Sequence, residues 1–170
     1  LEMAPTNKML KIALKSKPSF VCIVPEKREE LTTEGGLNLD KDNFRIKKII
    51  YYLKKKGIRT SLFIEPGIQN IEKAKKLGAD CVELHTGKFC NLYNLNKKFF
   101  NEFIKIKKVA QYANIIGLEV HAGHGLTYQT AKIIKRIKNI KELNIGHFII
   151  SEAIFVGLKQ AILNFKNVLK

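Results

Sequence analysis

Residues 60–84 read TSLFIEPGIQNIEKAKKLGADCVEL, and this stretch decides the fold class. Thr60 to Ile64 and Cys81 to Leu84 are short apolar or β-branched runs of strand length. Between them Ile71 and Ala74 share one face of a helical period, and Gly78 follows where a left-handed C-cap belongs. A strand, a glycine-closed helix and a second strand are the sequence form of a right-handed parallel crossover.

The same alternation extends in both directions. Further strand-like runs lie at Leu1 to Met3, Phe20 to Val24, Leu118 to Ala122 and Leu143 to Ile149, which makes six strands in all. Helical stripes occupy Ile46, Ile49, Ile50 and Leu53 ahead of Gly57, and Phe99, Phe103, Ala110 and Ala113 ahead of Gly117. A third runs through Ile154, Leu158, Ala161, Ile162 and Phe165. No linker or composition break interrupts the pattern, so residues 1–170 read as one α/β domain. Six βα units fit either a doubly wound sheet or an incomplete barrel. The chain opens inside an apolar-polar alternation, Leu1-Glu2-Met3-Ala4, with no cap or turn before it. A (β/α)8 barrel needs ~250 residues, so the expectation is a TIM barrel without its first two βα units, roughly 70 residues.

Composition narrows the function classes. With 45 % hydrophobic residues among 170, the chain can bury a core, and no apolar run approaches the ~18 residues of a membrane span. No signal-peptide layout is present, and a cytoplasmic location is expected. Cys22, Cys81 and Cys90 are odd in number and lack CxxC spacing, so they read as reduced and structural. The net charge of +16 raises the question of nucleic acid. The excess is nearly all lysine, however, as in Lys54-Lys55-Lys56 and Lys105, Lys107 and Lys108, on the polar faces of expected helices. Specific readout favours arginine forks, and the chain has only Arg28, Arg45, Arg59 and Arg136. We read the charge as a solvated surface in which small anionic substrates are welcome, with no nucleic acid and no membrane as partners. A basic nucleic-acid-binding domain is the alternative from another class; it calls for aromatics interleaved with lysine and arginine, whereas Phe99, Phe103 and Phe165 sit on apolar stripes.

Polar residues and glycines gather where strands meet their following loops, which is where barrel enzymes build their sites. Phe20 to Val24 runs into Pro25-Glu26-Lys27-Arg28 and then Thr32-Thr33-Glu34-Gly35-Gly36. Glu83 and His85 are two apart on one strand face, and His85 is the expected partner of a buried Glu83. The fifth strand delivers His121-Ala122-Gly123-His124-Gly125, and the sixth delivers Asn144-Ile145-Gly146-His147. All four histidines are thus expected at strand ends and none in a helix. The bend at Gly123-His124-Gly125 and the glycine before the final helix offer backbone N–H groups to an anion, which indicates a phosphorylated small substrate. Blander readings stand beside these. The glycines also permit tight turns, Thr32 and Thr33 can cap a turn, His147 can be a rim histidine held by hydrogen bonds, and Glu2 can be a solvated charge. His121 and His124 lack the carboxylate or cysteine company of a metal site.

Taken together, the segments LEMAPT, FVCIVPEKREELTTEGGLNL, TSLFIEP, VELHTG, HAGHGLTY and ELNIGH resemble, in this order, those of the pyridoxine 5'-phosphate synthase family. The resemblance covers Leu1 to Lys170 and implies a (β/α)8 barrel entered at its third strand. It implies a condensation of 3-amino-2-oxopropyl phosphate with 1-deoxy-D-xylulose 5-phosphate to pyridoxine 5'-phosphate, phosphate and water, with no cofactor and no metal. It also implies a homo-oligomer, an octamer in the family. By the same resemblance Glu2 is a proton acceptor, His124 a proton donor and Glu83 a stabiliser of the transition state. Thr32 would contact the deoxyxylulose phosphate, and Gly125, Gly146 and His147 would hold the amino-oxopropyl phosphate. The family's Asn-x-Asp-His motif, second catalytic histidine and substrate-phosphate arginines have no counterpart here, which leaves a catalytically incomplete barrel as a further alternative.

Overall fold

The computed structural model describes residues 1–25, 35–41 and 43–170. Among them six strands alternate with helices: β1 (Glu2–Met3), α1 (Asn7–Ser16), β2 (Phe20–Ile23), α2 (Asn43–Lys54), β3 (Arg59–Ile64), α3 (Ile68–Leu77) and β4 (Cys81–His85). There follow α4 (Gly87–Asn94), α5 (Phe100–Ile115), β5 (Glu119–Gly123), α6 (Tyr128–Ile134), β6 (Ile140–Asn144), α7 (His147–Val156) and α8 (Leu158–Leu169). The strands form one sheet in the order β1-β2-β3-β4-β5-β6, and each pairs in parallel with the next. A doubly wound sheet reverses its strand order at a switch point. No reversal occurs here, so the α/β layout is that of a half-barrel.

Local chemistry explains the junctions. Thr6 caps α1 by accepting from the Met9 N–H at 3.2 Å. Gly78 closes α3 at φ 88°, a left-handed conformation that gives its N–H to the carbonyls of Ala74 and Lys75. The strand period of two then sorts the sheet into two faces. Val21, Ile23, Leu62, Ile64, Val82, Leu84, Val120 and Ala122 are buried with Ile46, Ile49, Ile50, Leu53, Ile71, Ala74, Ile106 and Ala110 of the helices in one core. The alternate residues Cys22, Ser61, Phe63, Cys81, Glu83, His85 and His121 turn to the other face and bring polar chemistry with them. Lys54, Lys105, Lys107 and Lys108 are exposed on α2 and α5, and Lys55 and Lys56 are exposed in the turn that follows α2.

Two expectations fail at the C-terminal end. The run 143–149 is not a strand: β6 is Ile140–Asn144, and the chain turns at Gly146 into α7, whose first residue is His147. One histidine therefore does begin a helix. The stripe from Ile154 to Phe165 does not lie on one helix either, because Gly157 (φ 81°, ψ 147°) breaks the run into α7 and α8. Ala161 and Phe165 are buried, whereas Ile154 is 79 % exposed. A register irregularity marks the last pairing: Val120 lies opposite Ile140 but His121 opposite Glu142, so that Lys141 is passed over and Gly123 faces Asn144.

Candidate active site

The C-terminal ends of β3, β4, β5 and β6 bring a connected set of polar groups together. Glu83 is its centre, 8 % exposed on the polar face of β4. Asn144 Nδ2 donates to Glu83 Oε2 at 2.7 Å, and the Cys22 thiol approaches the same oxygen at 3.5 Å. Burial pushes the Glu83 carboxyl above the ordinary carboxylate range; the bonds from Asn144 and Cys22 pull against that rise, and the charge of Glu2 adds to it. Space for this carboxyl exists only because residue 123 is glycine: a Cβ there would collide with Glu83 Oε1. Burial and Glu83 together push the Cys22 thiol far above its usual value, so it is a neutral donor and not a nucleophile.

His85 does not partner Glu83, contrary to the expectation from the sequence. Its Nδ1 meets Glu65 Oε1 at 2.6 Å, while Glu65 also accepts from the Gly36 N–H at 3.2 Å. The reason is sheet geometry. Residues i and i+2 on a strand are ~6.6 Å apart, whereas the neighbour across the ladder is ~4.8 Å away, so pairing runs from strand to strand. Burial works against the Glu65 charge, but the hydrogen bonds from His85 and from the Gly36 N–H outweigh it and hold this carboxyl below its ordinary value. The reading of the sequence missed Glu65. The signal was present, since Ser61, Phe63 and Glu65 alternate onto one face and Glu65 sits at a strand end before Pro66.

His124 lies beside this pair, its ring 4.8 Å from that of His85 and 6.4 Å from that of Phe63. Its backbone is left-handed at φ 77°, a conformation uncommon for a non-glycine residue. The Thr86 hydroxyl lies 2.7 Å and 2.6 Å from the carbonyl oxygens of Gly123 and His124 and donates between them, which pins the bend. Gly125 follows at φ 77° and is exposed. His121 is buried and stacked on Phe20 at 5.7 Å, with Nε2 2.9 Å from Glu119 Oε1, and stands in register with Glu83 on the neighbouring strand. Glu2 is exposed in β1, in register with Cys22 and near enough to bear on the Glu83 charge. Gly146 caps α7, and both it and His147 are exposed at the end of β6. Thr32 lies outside the described residues.

The polar face of a parallel α/β sheet, with a buried acid, an imidazole on a left-handed bend and glycines at two loop starts, has the layout of an enzyme site built at the C-terminal ends of strands. The chain matches the family described as pyridoxal phosphate biosynthesis protein PdxJ over residues 1–170, and it belongs to that family. Relatives named pyridoxine 5'-phosphate synthase are 55 % identical in Pelagibacter ubique, over 99 % of this chain and 70 % of that one. In Rhodospirillum rubrum the identity is 52 % over 95 % of this chain and 65 % of the relative. In a Sulfurihydrogenibium species it is 48 % over 99 % and 69 %. The chain thus spans about two thirds of the length of the relatives it matches. A solved structure titled as the Amycolatopsis orientalis BexX/CysO complex contains a chain that superposes with a TM-score of 0.55 at 11 % identity, covering 94 % of this chain and 60 % of its own. That likeness concerns the fold alone.

Proposed function

We propose that this chain supplies the acid-base half of a pyridoxine 5'-phosphate synthase, condensing 3-amino-2-oxopropyl phosphate with 1-deoxy-D-xylulose 5-phosphate. Its six βα units are then the third to eighth of a (β/α)8 barrel. The sequential parallel order supports this, as do the pairing of β1 and β6 on one side only among the described residues and the apolar surface of α7 that two further units would cover. The observation that carries the functional reading is the convergence of Glu83, His124 and Asn144 at adjoining strand ends in a chain of this family.

The chemistry follows from the environments. An amine that adds to a ketone must lose a proton, and the carbinolamine oxygen must gain one before water leaves. His124, on its bend beside Gly125, is the donor; a neutral imidazole acts as acceptor in the return step. Glu2, exposed in β1 beside the strand of Cys22, suits the acceptor role. Glu83, kept protonated more readily than an ordinary carboxyl, can donate a hydrogen bond to an oxygen that gains charge in the transition state. Exposed backbone N–H groups at Gly125, and at Gly146 and His147 where α7 begins, suit the phosphate of the amino substrate, because a helix N-terminus carries partial positive charge. Thr32 is assigned to the sugar phosphate by family resemblance only. The substrates are small phosphorylated molecules, and assembly as a homo-oligomer in the cytoplasm completes the proposal.

The test is turnover. In the full-length protein, His124→Ala is expected to lower product formation from the two substrates by about 10³-fold, within the range of a positioned acid or base. Its circular dichroism and unfolding midpoint should stay at the wild-type values. Turnover within tenfold of wild type would remove His124 from the mechanism, and failure of the wild type on both substrates would remove the reaction.

A further inference from the structure

Glu65, His85 and Phe63 form a cluster on which none of the roles above depends, and it is built with more care than packing requires. His85 is buried to nine-tenths. Its Nδ1 is committed to Glu65, and Glu65 is itself held by the Gly36 N–H, so the ring cannot rotate about its own axis without breaking a 2.6 Å bond. Phe63 stands edge-on to the His85 ring at 5.1 Å and fixes its tilt. The other nitrogen, Nε2, is buried and has no hydrogen-bond partner among the described residues. An orphaned polar atom this deep costs stability unless something occupies it in use.

The direction of that nitrogen is informative. A side chain on Gly87 would begin 2.8 Å from His85 Nε2 and 3.0 Å from His124 Cδ2. Nε2 and the edge of the His124 ring therefore border the same small space, kept open by the glycine that starts α4. A protonated Nε2 would put a second buried donor there without an acceptor, beside a ring that must itself carry a proton in the reaction. A lone pair there is an acceptor for the N–H of His124 or for a hydrogen on the group that His124 serves.

We infer that Glu65 and His85 are positioning residues for His124: Glu65 fixes the Nδ1–H tautomer of His85, and the Nε2 lone pair of His85 orients His124 and supports its protonated form. The arrangement has the form of a carboxylate that orients an imidazole, which in turn acts on a second group. This rests on the assignment of His124 as the proton donor.

Two measurements test it, and the first needs no substrate. Long-range ¹H–¹⁵N correlation spectra of the wild-type protein at neutral pH should show His85 with its proton on Nδ1 and none on Nε2, and Glu65→Gln should disturb that pattern. A proton on His85 Nε2 would overturn the inference whether or not the enzyme turns over. The second is kinetic. Glu65→Gln and His85→Phe both keep the local volume, and each is expected to lower kcat by about 10 to 10²-fold, the scale of a misplaced catalytic group. KM for both phosphorylated substrates should stay within about threefold. Equal loss from kcat and KM, or His85→Phe at wild-type kcat, would reduce the pair to packing. If wild-type protein turns over neither substrate, the synthase reading fails while the tautomer measurement still decides this one.

Discussion

The ends of β4 and β5 differ sharply from the end of β6. At the first, Glu83, His85, Thr86, His121 and Gly123 are buried; Asn144 donates to Glu83, the carboxylates of Glu65 and Glu119 hold His85 and His121, and the Thr86 hydroxyl donates to the Gly123 carbonyl. At the second, Gly146 and His147 are exposed, and α7, although it reads HFIISEAIFV, has no buried residue; Ile150, Ile154 and Phe155 are each more than half exposed. The first region is held by its surroundings. The second is apolar without being covered within the described residues. The proton chemistry proposed for the first demands fixed groups in a low-dielectric setting, and the phosphate grip proposed for the second demands backbone N–H groups that an incoming anion can reach.

That contrast can be broken by substitution. The largest stability effect is expected in the first region's support, where Leu84→Ala removes a fully buried side chain beneath Glu83 and His85 and should cost about 3 kcal/mol in urea unfolding. A loss under 1 kcal/mol would mean that the core beneath the site collapses easily, and the two regions would then be alike.

A smaller effect of opposite sign is expected at Glu83→Gln. A carboxyl whose folded-state value is raised binds its proton more tightly in the native than in the unfolded chain. Stability is then full below the ordinary carboxylate value and falls as pH rises through and above it. Glutamine keeps the acceptor for Asn144 and has no charge to bury. The variant should match wild type near pH 4 and exceed it by about 1 kcal/mol at pH 7, where that corresponds to ~2–4 °C in Tm. A wild type that gains stability over that interval, relative to the variant, would show that Glu83 is paired with a cation in solution. Its turnover should fall, since the site would then be more stable and less able.

The smallest effect belongs to Ile154→Ser, expected within about 0.5 kcal/mol because the side chain is already in solvent. A loss above ~1.5 kcal/mol would sharpen the picture in another way, by showing that α7 is covered in the protein in solution.

The legibility of these regions from sequence follows the same division. Strands β3 and β4 and their helices were readable because burial on one face enforces a period, as in Ile71, Ala74 and Leu77. The last strand was not. Residues 140–144, IKELN, are half-buried or exposed, so no apolar alternation marks them, while the β-branched residues of 145–150 imitate a strand and form a helix once Gly146 has turned the chain. Of the site, Glu83, His124 and the glycines could be singled out because each sits at a strand end. Pairings could not, since Glu65 with His85 and Glu83 with Asn144 depend on cross-strand register, which a linear sequence does not display.

The irregular pairing of β6 has a consequence for how this site tolerates length change. Because Lys141 is passed over, Asn144 shares the inward parity of Gly123 and can reach Glu83; if the same residues paired without that irregularity, Leu143 would face Gly123 and the amide would point into the helix layer. Insertion of a single residue between Val120's partner Ile140 and Asn144 would thus slip the register by one and set Leu143 against Gly123, replacing the hydrogen-bond donor of the buried acid with a hydrocarbon, whereas deletion of Lys141 would remove only the passed-over residue and leave Asn144 opposite Gly123. Point substitutions at 141, and its deletion, should be harmless, and a one-residue insertion there should silence the acid.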